Sequence, residues 1–401
     1  MSSTVGGRRL AHTTSSRLFA GAGAPGLDHH LSLFGQLPRT TELIDVVERA
    51  SLRGRGGAGF PTAGKLEAVV RASGRPLVVA NGVEAEPPTE KDRTLMRVAP
   101  HLVLDGAILA VDAVGARDVV VAVSRPAPEL SDAIAERARR RVDPVHVELA
   151  RAPYRFVAGE ETALLRALEG RPARPTLKPP YPSERGLRGS PTLVQNVETL
   201  AHLALIARFG PDWFGSGTAL ATLSGAVSQP GVYEIPLGAT LADVIGACGG
   251  VRAPVAAYLV GGYFGRFVAA DAAAGLALTP DELGAGAIVA IPASTCAAAE
   301  CANVIRWLAG ESAGQCGPCL HGLPAVADAL DVARRGDRRH EVTRLAALVE
   351  ARGACRHPDG VARLVRSALD VFADEFAVHA RRRGCGRRLE RVLPVPTARH
   401  R

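Results

Sequence analysis

The chain has 401 residues, 47% of them hydrophobic and 22% charged, with a formal charge of +8 and seven cysteines. Such a composition excludes a disordered chain and leaves room for two or three domains, each with its own core. Without an apolar run long enough to span a bilayer or a continuous hydrophobic export segment, and with an odd cysteine count that argues against a disulfide framework, the chain reads as cytoplasmic.

Residues 41–52, "TELIDVVERASL", have helical periodicity, which "RGRGGAGFP" interrupts before a helix restarts at "PTAGKLEAVVRA". "RPLVVANGVE" supplies a buried strand, "DGAILAVDAVG" a helix and "ARDVVVAVS" a strand, followed by helix "APELSDAIAERARRR" and strand "VHVELA". This alternation predicts an α/β domain with a largely parallel sheet. Near residue 216 the pattern changes to two strands around an "SQPG" turn, then a short helix with Thr240 as N-cap and Asp243 three residues on. Strands in "AAYLVGGYFGRFVA" and "GAIVAIP" complete a small β-grasp-like domain. Helices are expected over 297–309, 319–335, 338–351 and 359–382, a four-helix bundle. The expected division is an N-terminal extension (1–40), an α/β domain (41–215), a β-grasp domain (216–293), a helical bundle (294–385) and a basic tail (386–401).

Arginine runs at 136–141 and 381–388 carry much of the charge. With 10 Phe, 5 Tyr and 2 Trp there is no stacking platform for single-stranded nucleic acid, and a basic surface suits an acidic protein partner. Gly54, Gly56 and Gly59 satisfy G-x-G-x-x-G, but a helix precedes them where the dinucleotide fingerprint requires a strand. Glycines before a helix start, with Lys65 in its first turns, suit an anion such as a phosphate; the alternative is a purely structural turn. Cys296, Cys301, Cys316, Cys319 and Cys355 fall within one stretch of about 60 residues, a density that points to a site.

Five motifs occur in order: "LRGRGGAGFPTAGK" (52–65), "NGVEAEPPTEKDR" (81–93), "AGEETALLRALEGRPARPTLKPPYP" (158–182), "PTLVQNVETL" (191–200) and "ESAGQCGPCLHG" (311–322). Together they resemble the NADH-binding flavoprotein subunit of respiratory complex I and its relatives in NAD-linked hydrogenases and formate dehydrogenases. The resemblance covers roughly residues 40–380 and extends to "CRHPDGVARLVRSALDVFADEFAVH" (355–379). It implies an FMN domain, a soluble-ligand-binding β-grasp (SLBB) domain and an iron–sulfur bundle. The implied function is an NADH:acceptor oxidoreductase that passes electrons through FMN and a cluster to a ferredoxin-like or quinone-linked acceptor.

Carried over, the resemblance assigns Gly54, Gly56, Gly57 and Lys65 to FMN phosphate and ribityl groups. Asn81, Glu84, Gly159, Glu160, Val194, Gln195 and Asn196 would surround the rest of the flavin. Phe60, Glu86, Glu161, Lys178 and Tyr181 would line the NADH side. Hydride transfer needs no catalytic acid or base. The family's N-A-D-E reads "NGVE" here, its tyrosine before C-G-E-E is Phe156, an asparagine is Gln195, and Ala68 replaces a phenylalanine against the adenine.

Cluster ligands by resemblance are Cys316, Cys319 and Cys355, while Ala313 stands where the family carries its first cysteine. A [4Fe–4S] cluster held at three corners is expected, its fourth iron taking water, a small thiol, Cys296, Cys301 or His321, or lost to leave [3Fe–4S]. Vestigial thiols or a zinc site are the alternative. Cys248 reads as a buried structural thiol and Cys385 as an exposed one. The expected partner is a separate ferredoxin or small iron–sulfur protein, with membership of a larger redox complex open. The rival function is a non-catalytic electron-transfer or scaffold role, favoured by Val83, Ala68 and Ala313.

Overall fold

The computed structural model describes residues 3–5, 8–11, 16–38, 41–333, 336, 338–382 and 384–396. Two short strands, β1 (Ser3–Val5) and β2 (Arg8–Ala11), come first. The alternating segment then forms β3 (Leu77–Gly82), β4 (Asp118–Val123), β5 (His146–Arg151) and β6 (Thr192–Asn196). All three pairings in the order β5-β4-β3-β6 are parallel. Alternate strand residues enter different cores, as expected of a sheet covered on both faces. Val78, Ala80, Val119 and Val121 pack with helices Pro100–Val114 and Val197–Phe214, whereas Val79, Val120 and Val194 pack with Leu164 and Leu165. Leu18 and Phe19 belong to the first of these cores.

The two long helices cross at Gly106, where an added methyl would overlap the Leu200 carbonyl. Only glycine lets the backbones approach so closely.

Next come β7 (Thr218–Gly225), β8 (Gly231–Pro236), β9 (Val255–Val260), β10 (Arg266–Ala269) and β11 (Ala287–Pro292). Their sheet, in order β1-β2-β8-β7-β11-β9-β10, pairs β7 with β8 antiparallel and β11 with β7 parallel. The helix Leu241–Ala247 opens on the expected capping box, with Thr240 Oγ1 accepting from Asp243 N and Asp243 Oδ2 accepting from Thr240 N, both at 3.2 Å. One sheet face (Ile288, Ala290) buries this helix; the other (Val289, Ile291) packs on the C-terminal helices.

Those helices are Ala297–Gly310, Leu323–Ala333, Arg339–Val349, His357–Val371 and Ala373–Arg382. The helix expected over 359–382 is therefore two. Its break lies at Phe372, which leaves helical geometry and packs edge-on against Phe267 of β10 with ring centroids 5.0 Å apart.

Candidate functional site

The glycine loop, the ends of β3 and β6, and the turn before helix Glu161–Leu168 meet at the C-terminal edge of the parallel sheet, the usual ligand position in such folds. Gly54 N donates to Phe60 O at 2.9 Å, closing the loop, and Gly57 (φ 98°) and Gly59 (φ 60°) take left-handed conformations. A Cβ on Gly56 would stand 3.4 Å from Asn196 Cβ, so this loop lies against the end of β6. Asn81, at the end of β3, donates through Nδ2 to Gly159 O at 3.1 Å and accepts from Val83 N at 3.1 Å.

Lys65 is held by protein groups: its ammonium donates to Glu161 Oε2 at 2.8 Å and to Val194 O at 3.3 Å. Glu161 also accepts from Lys178 at 2.6 Å, and Lys178 reaches Glu160 at 3.2 Å. Burial would raise Glu161, but the two lysines outweigh it and hold the carboxyl below its ordinary value. Glu160 caps its helix by accepting from Thr162 N (2.8 Å) and Ala163 N (3.0 Å). At the rim, Phe60 and Tyr181 are 53% and 52% exposed, and Ala68 is half-buried on the helix that follows Phe60.

The two acidic residues of "NGVEAE" have different partners. Glu84 accepts from Asp92 N at 3.1 Å, Arg93 N at 3.0 Å and the Thr89 hydroxyl, so its carboxylate caps helix Lys91–Val98. Glu86 accepts from Tyr263 N in the β9–β10 turn; loss of water around it pushes its pKa up to about 7. Gly82, which precedes both, lies against Met96 and the Ala122 carbonyl: a Cβ there would stand 2.6 Å from Met96 Sδ and 3.1 Å from Ala122 O.

Four residues of this edge escaped the sequence reading. Lys91 is buried with Asp92 (2.7 Å) and Glu198 (2.8 Å), and Asn196 Nδ2 donates to Asp92 Oδ2 at 2.7 Å. For Glu198, burial acts upward, but Lys91 and His202 outweigh it and bring the carboxyl down to about 2. Arg55, inside the glycine loop, is 6% exposed with Nε and Nη1 lacking hydrogen-bond partners. "GRG" within the loop and "EKD" after "NGVE" were the available signals. Gln195 Nε2 is likewise buried without a partner. A buried Gln195 donor without a partner beside a glycine cradle fits a ligand rich in acceptors, as FMN is, whereas Arg55 is engaged with Glu198 and Thr218 O.

On the bundle side, Cys316 begins the turn leading into Pro318–Gly322, Cys319 lies in it, and Cys355 precedes helix His357–Val371. Burial would raise Cys316, but the Ala354 and Cys319 amides and the Cys319 thiol act on its sulfur and lower it. Burial and the adjacent Cys316 push Cys319 up to about 12. Burial raises Cys355 too, with Glu160 and Cys316 adding to it. The three thiols are therefore neighbours, and Ala313, 8% exposed, offers no ligand. They fit an iron–sulfur group held at three corners. Cys301 is wholly buried in the bundle core and His321 is exposed.

Cys296 does not join them. Its sulfur lies 3.3 Å from both Glu375 Oε1 and His379 Nε2, beside Cys385. Nor is Cys385 the exposed thiol expected: it is half-buried against the bundle core, because the tail folds back along residues 294–296. Cys248 is fully buried, as expected, with its thiol donating to Ile245 O at 3.0 Å.

An aromatic joint links the parts of the chain that carry the two groups. Phe156 contacts Phe264, Trp307 and His357 with centroids 4.8, 5.6 and 5.6 Å apart, bringing together the α/β, β-grasp and helical parts.

The family described as the Nuo51 FMN-binding domain matches residues 47–205, the SLBB domain 220–262, and the NADH-ubiquinone oxidoreductase-F iron–sulfur binding region 299–379. The second NADH-quinone oxidoreductase F-type subunit of Rhizobium meliloti (strain 1021) is 33% identical over 86% of this chain and 90% of its own. The NADP-reducing hydrogenase component HndC of Solidesulfovibrio fructosivorans is 30% identical over 86% of this chain and 77% of its own. Among solved structures, the air-oxidized NAD+-reducing [NiFe]-hydrogenase superposes with TM-score 0.82 at 29% identity, covering 92% of this chain and 67% of that one. The H2-reduced form gives TM-score 0.74 at 30% identity, and this chain spans 62% of its length. With the glycine cradle, the "GEE" turn and the clustered thiols in the family's order, the chain belongs to the F-type family of NADH-quinone oxidoreductase subunits, the NADH-oxidising FMN and iron–sulfur flavoproteins.

Proposed function

We propose that this chain binds FMN along the edge formed by Gly54, Gly56, Gly57, Lys65, Asn81, Gly159, Val194, Gln195 and Asn196, and admits NADH past Phe60, Glu161, Lys178 and Tyr181. FMN, when bound, supplies the hydride acceptance and single-electron release that no side chain offers. The protein's part is position and charge. Phe60 and Tyr181 present exposed rings to a base, Glu161 and Glu160 offer acceptors to ribose hydroxyls, and Lys178 holds both carboxylates in place. Glu84, which caps a helix, belongs to the flavin side of this edge, and Glu86, held by the β-grasp turn, to the NADH side. Cys316, Cys319 and Cys355 are the proposed ligands of an iron–sulfur group that receives the electrons.

The observation that carries this reading is the convergence of the glycine loop, Asn81, Asn196 and the "GEE" turn on one sheet edge, joined by Phe156 to the thiol-bearing helices. We read the chain as an α/β domain (41–215), a β-grasp domain (216–293) and a helical bundle (294–385), the last with five described helices where four were expected. Among the described residues no single helix is long and apolar enough to cross a membrane. We place the protein in the cytoplasm, as one component of a larger redox complex that hands electrons to a separate ferredoxin-like protein. Purification without oxygen, followed by flavin, iron and sulfide quantitation, tests the reading. One FMN per chain with iron that depends on Cys316 is expected; a protein that takes up neither would overturn it.

A further inference from the structure

We propose that Cys296, Glu375, His379 and Cys385 form a zinc site, separate from the three clustered thiols, that fastens the C-terminal segment to the start of the first bundle helix. One donor atom from each of the four side chains lies within 4.8 Å of every other. Cys296 Sγ is 3.3 Å from Glu375 Oε1 and 3.3 Å from His379 Nε2, and those two atoms are 3.8 Å apart. Donors bound at roughly 2.0–2.3 Å around a tetrahedral zinc stand about 3.3–3.8 Å from one another, so these pairs already have coordination spacing.

The placement follows from the chain. Glu375 and His379 are one turn apart on helix Ala373–Arg382, Cys296 immediately precedes helix Ala297–Gly310, and Cys385 lies just beyond the last helix. All but Cys385 are buried. Two thiolates with an imidazole and a carboxylate suit zinc and not the oxygen-preferring magnesium or calcium. The charges also close: two thiolates and Glu375 carry −3, zinc +2, and Arg387, whose Nη1 donates to Glu375 Oε2 at 2.7 Å, supplies the remaining +1. Binding exchanges two thiol protons, released to solvent, for the metal; no electron moves.

Beyond Cys385 the tail runs as a strap. Arg388 O accepts from Cys296 N at 2.7 Å, Glu300 accepts from Val392 N and Leu393 N at 3.1 Å each, and Pro394 O accepts from Tyr263 Oη at 2.6 Å. Tyr263 N in turn donates to Glu86, so the anchored strap braces the turn that faces the nucleotide side.

The test uses the full chain titrated with Zn²⁺, and with Co²⁺ as a spectroscopic substitute. A sulfur-to-cobalt charge-transfer band and a single retained zinc are expected in wild type and in Cys316→Ser, and both are lost in Cys296→Ser and Cys385→Ser. Because Cys296 is buried and its variant is at risk of misfolding, wild-type protein is also alkylated with and without Zn²⁺ and mapped by mass spectrometry. Cys385 should be protected at least tenfold by zinc. Zinc retained equally by Cys296→Ser and Cys385→Ser, zinc lost in Cys316→Ser, or a Cys385 alkylation rate indifferent to zinc would each overturn the proposal.

Discussion

Lys65 ties the glycine-loop helix to both β6 and the "GEE" turn, through Val194 O and Glu161. Lys65→Ala should release Glu161 and remove a cation beside the cradle, lowering FMN occupancy severalfold. Gly57→Val should act in the same direction for a different reason: at φ 98° a β-branched residue is strained by about 1–2 kcal/mol or more, although the space around its Cβ is ordinary. The flavin-to-protein absorbance ratio of each purified variant checks both, and full occupancy in the two would remove the cradle from the account.

Glu86 yields a pH prediction. Its folded pKa is raised from 4.5 to about 7, with burial the main cause, the Tyr263 amide opposing it, Glu84 adding to it and Lys91 opposing it. Between those values the folded chain binds more protons than the unfolded one, so stability falls as pH rises from about 4.5 to 7, by up to about 3 kcal/mol. Asp92, raised by burial, acts the same way, so the comparison is with Glu86→Gln, which should lose much of the slope. Urea unfolding of both proteins at the two ends of the window measures it; equal slopes would contradict the assignment. At this scale the motif residues were legible, since glycines and paired carboxylates stand out in one dimension. The direction of a side chain was not. Glu84 and Glu86 are two residues apart in one motif, yet one caps the following helix and the other meets the β9–β10 turn 177 residues on, a long-range partner that the motif does not show.

At the scale of elements, strand alternation made the parallel sheet and the β-grasp readable, and Thr240 with Asp243 marked a helix start correctly. The split at Phe372 was not readable, because it is set by the long-range contact with Phe267 and not by any local breaker. The close helix crossing at Gly106 was equally invisible, one glycine among 43. Gly106→Ala must push apart two backbones, since the obstructing atom is a carbonyl and not a flexible side chain. A loss of about 3 kcal/mol or more is expected, measured by urea unfolding, and a loss below about 1 kcal/mol would contradict the tight crossing. In the cluster loop, Ala313→Cys restores a thiol one ligand spacing before Cys316, next to the left-handed Gly314. Iron retained after aerobic purification should rise towards about four per chain. If wild type already retains that much iron and the variant changes nothing, another group fills the corner; if neither retains iron under anaerobic reconstitution, the thiols hold no cluster.

At the scale of the molecule, particular side chains tie the α/β part to the β-grasp and helical parts. Glu198 accepts from Leu220 N of β7 at 2.8 Å while bound to Lys91, Glu86 meets Tyr263, and Phe156 stacks among Phe264, Trp307 and His357. The central claim is that NADH reduces a flavin held at this edge. Full-length protein loaded with FMN and titrated with NADH in the absence of oxygen should lose its oxidised-flavin absorbance in proportion to the NADH added. Full flavin occupancy with absorbance unchanged at saturating NADH would contradict the account and leave a protein that keeps the cofactor without the reaction.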